Sequence, residues 1–279
     1  MIALSTIARR ARTITSVYYA LMTAYRGEIF LWAVATALPL IMMGVWMEAG
    51  ASGAFPIDQT GMARYFIAVF LVRQLTIAWV VYEFEWYVVS GRLSPLLLQP
   101  MDPAWRWQLA HIAEQGARLP FCIVLVALAF FLYPNALLGD GEQFGLWLPA
   151  WWQVLLTIAA CYLTFLLRFL LQYCIAMLAF WFERAAAFER VNFLPYLFLS
   201  GLIAPLEVYS GTPIKDAVHD IAMWTPYPYM FWFPAKLLTD ADVDIAKGFA
   251  VITVWIVIVY LINRLLWKKG LKHYSAMGA

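Results

Sequence analysis

The sequence predicts an all-α integral membrane protein: six transmembrane helices, an N-terminal amphipathic surface helix, a short cytoplasmic helix and an outer re-entrant hairpin before the last span. Three observations support this. The 279 residues are 64% hydrophobic and only 13% charged, whereas soluble domains are about 45–50% apolar and about 25% charged. Mean hydropathy is +0.74. The apolar residues form continuous runs, not the alternation of a barrel. With a net charge of +2, this composition argues against a soluble enzyme, a disordered chain and a nucleic-acid binder.

Residues 1–28 are predicted to form the surface helix. Ile7, Ala11, Ile14, Tyr18 and Leu21 recur at spacings of three and four, and the arginines fall largely elsewhere around the helix. Such a helix lies in the plane of the inner membrane surface. A simple anchor with no mechanical role is the alternative.

Six apolar runs follow in a single transmembrane domain covering 1–279. They are Ile29–Met47, Met62–Tyr82, Leu119–Leu138, Leu148–Phe182, Val191–Leu206 and Gly248–Leu266. Spans one and two thus occupy 29–82, spans three to five occupy 119–206, and span six with a basic tail occupies 248–279. The fourth run is too long for one untilted crossing. The fifth is short and is interrupted by Pro195, Gly201 and Pro205.

Basic residues define the orientation. They concentrate before the first run, between the second and third, between the fourth and fifth, and after the sixth. Cytoplasmic loops carry an excess of Lys and Arg, so both termini are predicted to be cytoplasmic.

The cytoplasmic segment 83–118 contains two helix starts. Ser94-Pro95 and Asp102-Pro103 each place a capping side chain before a proline, as is typical of helix N-termini. A very short helix therefore lies between two breaks. Its leucines, Leu96 to Leu98, are costly to leave in water. They are covered either by a partner or by the chain's own helices.

The outer segment 207–247 is long and contains the aromatic, proline-rich stretch from Met223 to Pro234. Its prolines forbid a continuous helix, and its aromatic residues suit the membrane–water interface. A re-entrant hairpin that caps the bundle is predicted, with a passive aromatic belt as the alternative.

Polar groups inside the spans suggest a substrate pathway. Thr157, Cys161, Thr164, Arg168 and Gln172 form one stripe on the fourth span, while Arg73 and Gln74 interrupt the second. Intramembrane arginines are costly and persist where they face protein or a wet cavity. Alternatives are polar contacts between helices, or an Arg168 side chain that extends to the inner surface.

Motifs for catalysis are missing. The chain has no G-x-x-x-x-G-K-[ST] phosphate loop, no H-E-x-x-H and no G-x-S-x-G, and its three histidines are far apart, which argues against a metal site and gives no support for catalysis. The three cysteines lie in apolar runs without C-x-x-C spacing and fit buried apolar positions.

Several motifs together resemble those of ABC-2 type ABC transporter permeases, the transmembrane subunits of bacterial ABC exporters. They are the glycine-to-proline segment Gly91-Arg92-Leu93 through Gln99-Pro100, the Phe180-Trp181-Phe182-Glu183 end of the fourth span, Ser200-Gly201 through Pro205-Leu206, and Tyr227-Pro228-Tyr229 through Pro234. The resemblance covers nearly the whole chain. Glu207 to Gly211 departs from the more apolar run expected there.

The resemblance implies a permease that forms half of the substrate pathway in the bacterial inner membrane. The chain would hold no cofactor, since ATP and Mg²⁺ would bind to separate ABC ATPase subunits, and a second permease, identical or related, would complete the pathway. The short helix would be a coupling helix, with Leu96, Leu97 and Leu98 in a groove of the ATPase and Glu83, Glu85 and Arg92 at its rim. The ATPase-coupling residues are Glu83, Glu85, Gly91, Arg92, Leu93, Ser94, Leu96, Leu97 and Leu98. The pathway residues are Arg73, Gln74, Thr164, Arg168, Gln172, Pro195, Ser200 and Gly201. Alternative functions are a non-transporting membrane scaffold and a membrane-embedded lipid enzyme.

Overall fold

The computed structural model describes residues 4–51, 53, 55, 57–139, 146–239 and 243–274. Within these residues the chain forms α-helices and 3₁₀ turns but no β-strand. The helices are α1 (Leu4–Ala24), α2 (Arg26–Ala35), α3 (Leu38–Ala51), α4 (Gln59–Leu75), α5 (Val80–Val89), α6 (Leu93–Leu97), α7 (Pro103–Leu132), α8 (Pro134–Leu138), α9 (Trp151–Ala176), α10 (Ala186–Leu199), α11 (Pro213–Met223), α12 (Trp232–Thr239) and α13 (Ile245–His273). Parts of the predicted segments lie outside the described residues, namely 1–3, 140–145, 240–242 and 275–279.

In the described part of the chain, five helical segments are long and apolar enough to cross a membrane. They are Arg26–Ala51, Gln59–Val89, Pro103–Leu132, Trp151–Phe180 and Ile245–His273. The predicted fifth span falls on α10, which has 14 residues and at 1.5 Å per residue is about 21 Å long, short of a core of about 30 Å. The all-α membrane fold is confirmed, and the total of six crossings stays a prediction.

The segment formed by α4 and α5 is the centre of the bundle. In the most apolar part of this segment 67% of residues are buried, against 17% in α13. Met62, Phe66 and Val69 of α4 belong to a core that α3, α9, α12 and α13 share. The outer helices therefore present apolar side chains to the surroundings, as membrane helices do.

The first two predicted spans are each divided. The first breaks at Thr36 and Ala37 because Pro39 has no N–H, and its ring excludes the carbonyl four residues before it. The second breaks between Leu75 and Val80 without proline or glycine. There the backbone N–H of Trp79 donates to Nε2 of His111 at 3.0 Å. This tertiary contact takes over a donor that the helix leaves unpaired.

Helix α7 joins two predicted elements. The sequence predicts a helix that starts at Asp102-Pro103 and leads into a span beginning at Leu119, and α7 runs unbroken from Pro103 to Leu132. Its start is as predicted, since Asp102 Oδ1 accepts the Ala104 N–H at 2.9 Å. Pro120 is accommodated inside it. Because no strong break lies between Pro103 and Leu119, the helix continues.

After α10 the backbone leaves the helix, and other elements bond its carbonyls. Gly201 has φ +84°, a conformation that favours glycine. The Ser200 carbonyl accepts from Trp232 N at 3.0 Å, the Gly201 carbonyl from Tyr65 Oη at 2.8 Å, and the Ile203 carbonyl from Trp46 Nε1 at 2.7 Å. Irregular backbone within a membrane protein requires such internal partners.

The outer aromatic stretch folds into the bundle. Tyr229, Phe231 and Phe233 are buried in the core of α4, α9 and α13. A passive aromatic belt at the interface is therefore wrong for these three residues. Helix α11 precedes them; Thr212 caps it, and it exposes apolar side chains including Ile214 and Ile221.

Helix α1 packs along α7. Nε of Arg106 donates to the Tyr18 hydroxyl at 2.8 Å, and Nη1 of Arg10 donates to the Pro100 carbonyl at 3.3 Å. Burial raises the pKa of Tyr18 although Arg106 opposes that shift. The hydroxyl therefore stays neutral, as an acceptor for Arg106. The N-terminal helix thus touches the segment that precedes α7.

Candidate functional site

The predicted coupling segment forms a tight projection between α5 and α7. Gly91, with φ +70°, turns the chain after α5, and α6 follows for five residues. The N–H of Ser94 donates to the Gly91 carbonyl at 3.4 Å. Because only glycine adopts this backbone conformation without strain, Gly91 fixes the direction in which α6 leaves α5.

The leucines of this segment separate into two pairs. Leu93 and Leu96 are buried in the chain's own core, whereas the exposed fraction is 36% for Leu97 and 88% for Leu98. The prediction that Leu96 enters a partner's groove is therefore wrong, because α6 turns that face towards the bundle. Leu97 and Leu98 alone form the exposed leucine pair.

The acidic residues assigned to the rim are engaged within the chain. Oε2 of Glu85 accepts the backbone N–H of Ala186 at 2.6 Å, so it bonds the first turn of α10 as a carboxylate does at a helix N-terminus. Glu83 is half-buried next to Arg106 and Trp107. Both therefore turn inwards and leave the rim, in contrast to the prediction. Arg92 is exposed and its guanidinium lies 4.6 Å from the Trp86 ring centroid.

Beneath α6, an aromatic cluster connects four helical segments. The Phe84 ring lies 5.4 Å from Trp107, 5.3 Å from Tyr173 and 5.5 Å from Phe180, each in edge-to-face geometry. Such pairs contribute beyond their buried area.

Two polar contacts join the same region to α13. The hydroxyls of Ser94 and Tyr274 are 3.2 Å apart, and Nη1 of Arg264 donates to Oδ2 of Asp102 at 2.8 Å. The last helix and its C-cap Tyr274 thus hold the projection at two points, at Ser94 within α6 and at Asp102 just before α7.

A cavity of about 960 Å³ lies at the same end of the bundle, between α2, the α4–α5 break, α7, α9 and α10. Small-molecule sites have volumes of about 300–1,000 Å³. Its charged lining residues are Arg73, Arg118, Arg168, Arg190, Glu28, Glu114 and Glu189. Four arginines and three glutamates give a formal charge of +1.

Arg118 and Glu114 form a buried ion pair one turn apart on α7. Their exposed fractions are 2% and 3%. The second carboxylate oxygen of Glu114 accepts from Trp79 Nε1 at 2.7 Å. A buried carboxylate with a charged and a neutral donor is well compensated, so this pair is part of the wall.

Arg168 is held by neutral groups. Nη1 donates to Thr76 Oγ1 at 2.8 Å and Nη2 to the Tyr196 hydroxyl at 2.9 Å. The guanidinium lies 5.1 Å from the Phe231 ring centroid, within the range of a cation–π contact. These contacts fix the side chain but leave its charge without a bonded carboxylate.

Arg73 differs from both neighbours. Its Nη1 atom is buried and has no hydrogen-bond partner. Within the described residues no hydrogen bond or ion pair from this side chain is found, and its charge lies in the range of the charges of Arg118 and Arg168. A buried guanidinium nitrogen without a partner is unfavourable. Among the three arginines Arg73, Arg118 and Arg168 of the described cavity wall, Arg73 is the one whose side chain makes no hydrogen bond or ion pair.

The structure brings three of the predicted pathway residues together: Arg73, Arg168 and Gln172 line the cavity. Gln172 Nε2 donates to Glu189 Oε1 at 3.0 Å. Gln74 lies behind the wall and donates to Thr36 Oγ1 at 2.8 Å.

Besides Gln74, four further predicted pathway residues are not among those that line the cavity. Thr164 donates to the Tyr229 carbonyl at 2.9 Å, Pro195 lies within α10, and Ser200 and Gly201 belong to the irregular segment beside Tyr65 and Trp232. A Cβ on Gly201 would lie 2.4 Å from Tyr65 Oη, so close packing accounts for this glycine.

Sequence reasoning missed Glu114, Glu189 and Tyr196, and it assigned Arg118 to a cytoplasmic loop. The i, i+4 spacing of Glu114 and Arg118 was a usable signal, because such pairs meet on one helix face. Glu189 and Tyr196 enter the cavity from α10 and carry no comparable signal. Among the described residues, no group of three His, Cys, Asp or Glu side chains could hold a metal ion.

Comparison with protein-family models matches residues 59–278 to the family described as "ABC-2 family transporter protein". The chain belongs to the ABC-2 transporter family. It is an ABC-2 type permease, which is the multi-pass membrane component of a transporter. This component is not itself catalytic. No curated protein matches the chain.

Proposed function

We propose that this permease is a subunit of an ATP-driven exporter, forming half of the substrate pathway and receiving force from separate ABC ATPase subunits. It would lie in the bacterial inner membrane with both termini in the cytoplasm. ATP and Mg²⁺ would bind the ATPase. The projection around α6 and the cavity would then face the cytoplasmic side together.

The exposed leucine pair carries this proposal. Leu98 is 88% exposed directly after the five-residue helix α6, whose Leu93 and Leu96 are anchored in the core. An apolar contact surface supported by buried side chains suits the central anchor of a protein interface. Lipid is a less fitting cover, since Gln99, Pro100 and Met101 next to it form an irregular, polar-backbone loop.

Force applied to this surface would reach the helices directly. Phe84 connects α5 to α7 and α9, and the Asp102–Arg264 ion pair connects the start of α7 to α13. Rigid-body motion of packed helices is an established means of switching.

A second permease, identical or related, would complete the pathway. On α10, Val191, Leu194 and Phe198 are exposed at 70%, 58% and 50%. Their spacings of three and four put them on one face. The cavity lies next to this helix, so a facing subunit would enclose it.

The decisive experiment is Leu98→Glu in the full chain, purified from its native membrane. Wild-type protein should retain a nucleotide-labelled ATPase and show ATP-driven transport, whereas Leu98→Glu should lower both about tenfold or more, because a charge replaces an apolar anchor. Leu98→Met should behave as wild type. Lys269→Glu, which adds an acid at an exposed position of α13, controls for charge alone.

Normal transport by Leu98→Glu would contradict the docking assignment. A complex that hydrolyses ATP but moves no substrate in proteoliposomes would favour a scaffold. Lipid turnover by the isolated chain would favour an enzyme. Transport assayed separately in inside-out and right-side-out vesicles determines its direction.

A further inference from the structure

We infer that the cavity binds an amphiphilic anion, with Arg73 as the residue that bonds the acidic group. This inference names the substrate class of the proposed permease and rests on that function. Binding itself, however, requires neither the ATPase nor transport, so the two can fail separately.

The state of Arg73 is the first argument. Its Nη1 is buried and lacks a partner, although the side chain lines a cavity with room for a ligand. Buried polar groups in native proteins are nearly always bonded, and exceptions call for a specific explanation. Since this nitrogen itself has almost no accessible surface, the Arg73 guanidinium would turn towards the cavity to take an acidic oxygen there as its acceptor.

The neighbouring charges favour an anion. Arg118 is 2% exposed and has two further donor atoms, Nε and Nη1, that are buried without partners. Arg168 bonds only neutral hydroxyls. Three guanidinium groups thus act on one space, and charges interact more strongly next to protein than in bulk water.

The carboxylates of the same wall are already engaged, which argues against a cationic ligand. Glu114 is bonded by Arg118 and Trp79. Glu189 accepts from Gln172 and Asn192. Glu28 accepts from Trp32 Nε1 at 3.4 Å. Each carboxylate accepts a hydrogen bond from the protein, and none of those bonds comes from Arg73.

The remaining wall is apolar and explains why the anion would be amphiphilic. Trp32, Tyr82 and Phe193 line the cavity and are 52%, 53% and 44% exposed. Large aromatic side chains with this much free surface suit an alkyl or aryl tail. A small inorganic anion would leave them uncovered.

The test measures binding of dansyl-undecanoic acid to the full chain in phosphatidylcholine nanodiscs by fluorescence titration. The uncharged dansyl-undecanamide is the matched probe. Wild type should bind the acid about tenfold more tightly than the amide, a difference of about 1.4 kcal/mol. Arg73→Gln should abolish this preference with amide affinity unchanged, and Arg73→Lys should keep part of it.

Arg92→Gln is the control, because it removes an exposed arginine away from the cavity. Equal affinity of the wild type for acid and amide would overturn the inference, as would an unchanged preference in Arg73→Gln. If Arg73→Gln does not fold, displacement of the probe from wild type by undecanoate but not by undecanol decides the matter: undecanoate selectivity supports the site, and equal displacement overturns it.

Two further measurements are needed. One identifies the source of the anion, and the other tests anion binding separately from coupling to the ATPase. Phosphatidylglycerol in the nanodisc displaces the probe if membrane lipid supplies the anion, and leaves its binding unchanged if a dissolved amphiphile does. Leu98→Glu should retain the acid preference. Loss of coupling with retained binding, or the reverse, then shows which proposal fails.

Discussion

Arg118 and Arg73 line the same cavity and both keep buried donor atoms without a partner, but only Arg118 has a carboxylate bonded to it. Arg118 has Glu114 one turn away on its own helix, and the pair is almost fully buried. Arg73 sits on the central helix α4 with a buried guanidinium nitrogen that nothing bonds. Arg168, bonded to two neutral hydroxyls, lies between these extremes. The difference suggests that an intramembrane arginine compensated by its own chain serves structure, whereas an uncompensated one serves a ligand.

The largest effect is expected for Glu114→Gln. Arg118 would keep its charge in a buried site without a carboxylate, which costs about 3–5 kcal/mol. Denaturant titration in detergent measures the free energy of unfolding. Glu28→Gln, at an exposed position, is the control and should change this free energy little. If Glu114→Gln and Glu28→Gln lower the free energy of unfolding equally, the Glu114–Arg118 ion pair does not stabilise the fold.

A smaller effect is expected for Tyr196→Phe. It removes one hydrogen bond to the guanidinium of Arg168 while keeping the ring that Arg168 faces at 5.3 Å. A hydrogen bond to a charged group contributes about 1.5–3 kcal/mol. The same titration applies, with Tyr162→Phe as the control because the Tyr162 side chain is 64% exposed. If Tyr196→Phe lowers the free energy of unfolding no more than Tyr162→Phe does, the hydrogen bond does not stabilise the fold. Arg168 is then, like Arg73, an arginine that its own chain does not compensate.

The smallest effect on stability is expected for Arg73→Met. No bonded partner is lost, and an apolar side chain of similar length fills the position, so the free energy of unfolding should change by less than about 1 kcal/mol or rise. The melting temperature of the ligand-free protein checks this. A loss as large as that of Glu114→Gln would mean that Arg73 has a structural partner, and the contrast with Arg118 would disappear.

The sequence was sufficient for elements bounded by strong local signals. Asp102-Pro103 begins α7 as predicted, because a capped proline depends on the residues themselves. The predicted cap at Ser94 is wrong: α6 begins at Leu93 without a side-chain cap, and the Ser94 hydroxyl lies 3.2 Å from that of Tyr274. Pro39, inside the first predicted span, was an equally local sign of the break at Thr36, and it was overlooked. The break at Thr76–Trp79 has no such sign: it depends on His111 and Arg168, which come from distant helices.

The candidate site divides in the same way. Arg168 and Gln172 of the polar stripe on α9 line one wall of the cavity, since helical spacing puts them on one face. Thr164 of the same stripe does not line it, and the role of the stripe as a substrate pathway stays a prediction. Leu96 was misplaced because three consecutive leucines cannot all lie on one face of a short helix. Tyr196 and Glu189 reach the cavity through the path of α10, which follows a non-helical turn that periodicity does not describe.

Helix α7 has a mechanical meaning of its own. After Pro103 at its first position, α7 runs from Ala104 to Arg118 without a further proline, about 21 Å at 1.5 Å per residue, and Pro120 follows only after that. The N-terminal end of this continuous helix therefore lies beside the exposed leucines, and its later turns form part of the cavity wall. Force applied at the start of α7 would therefore displace Arg118 as well, because no break in the helix lies between them.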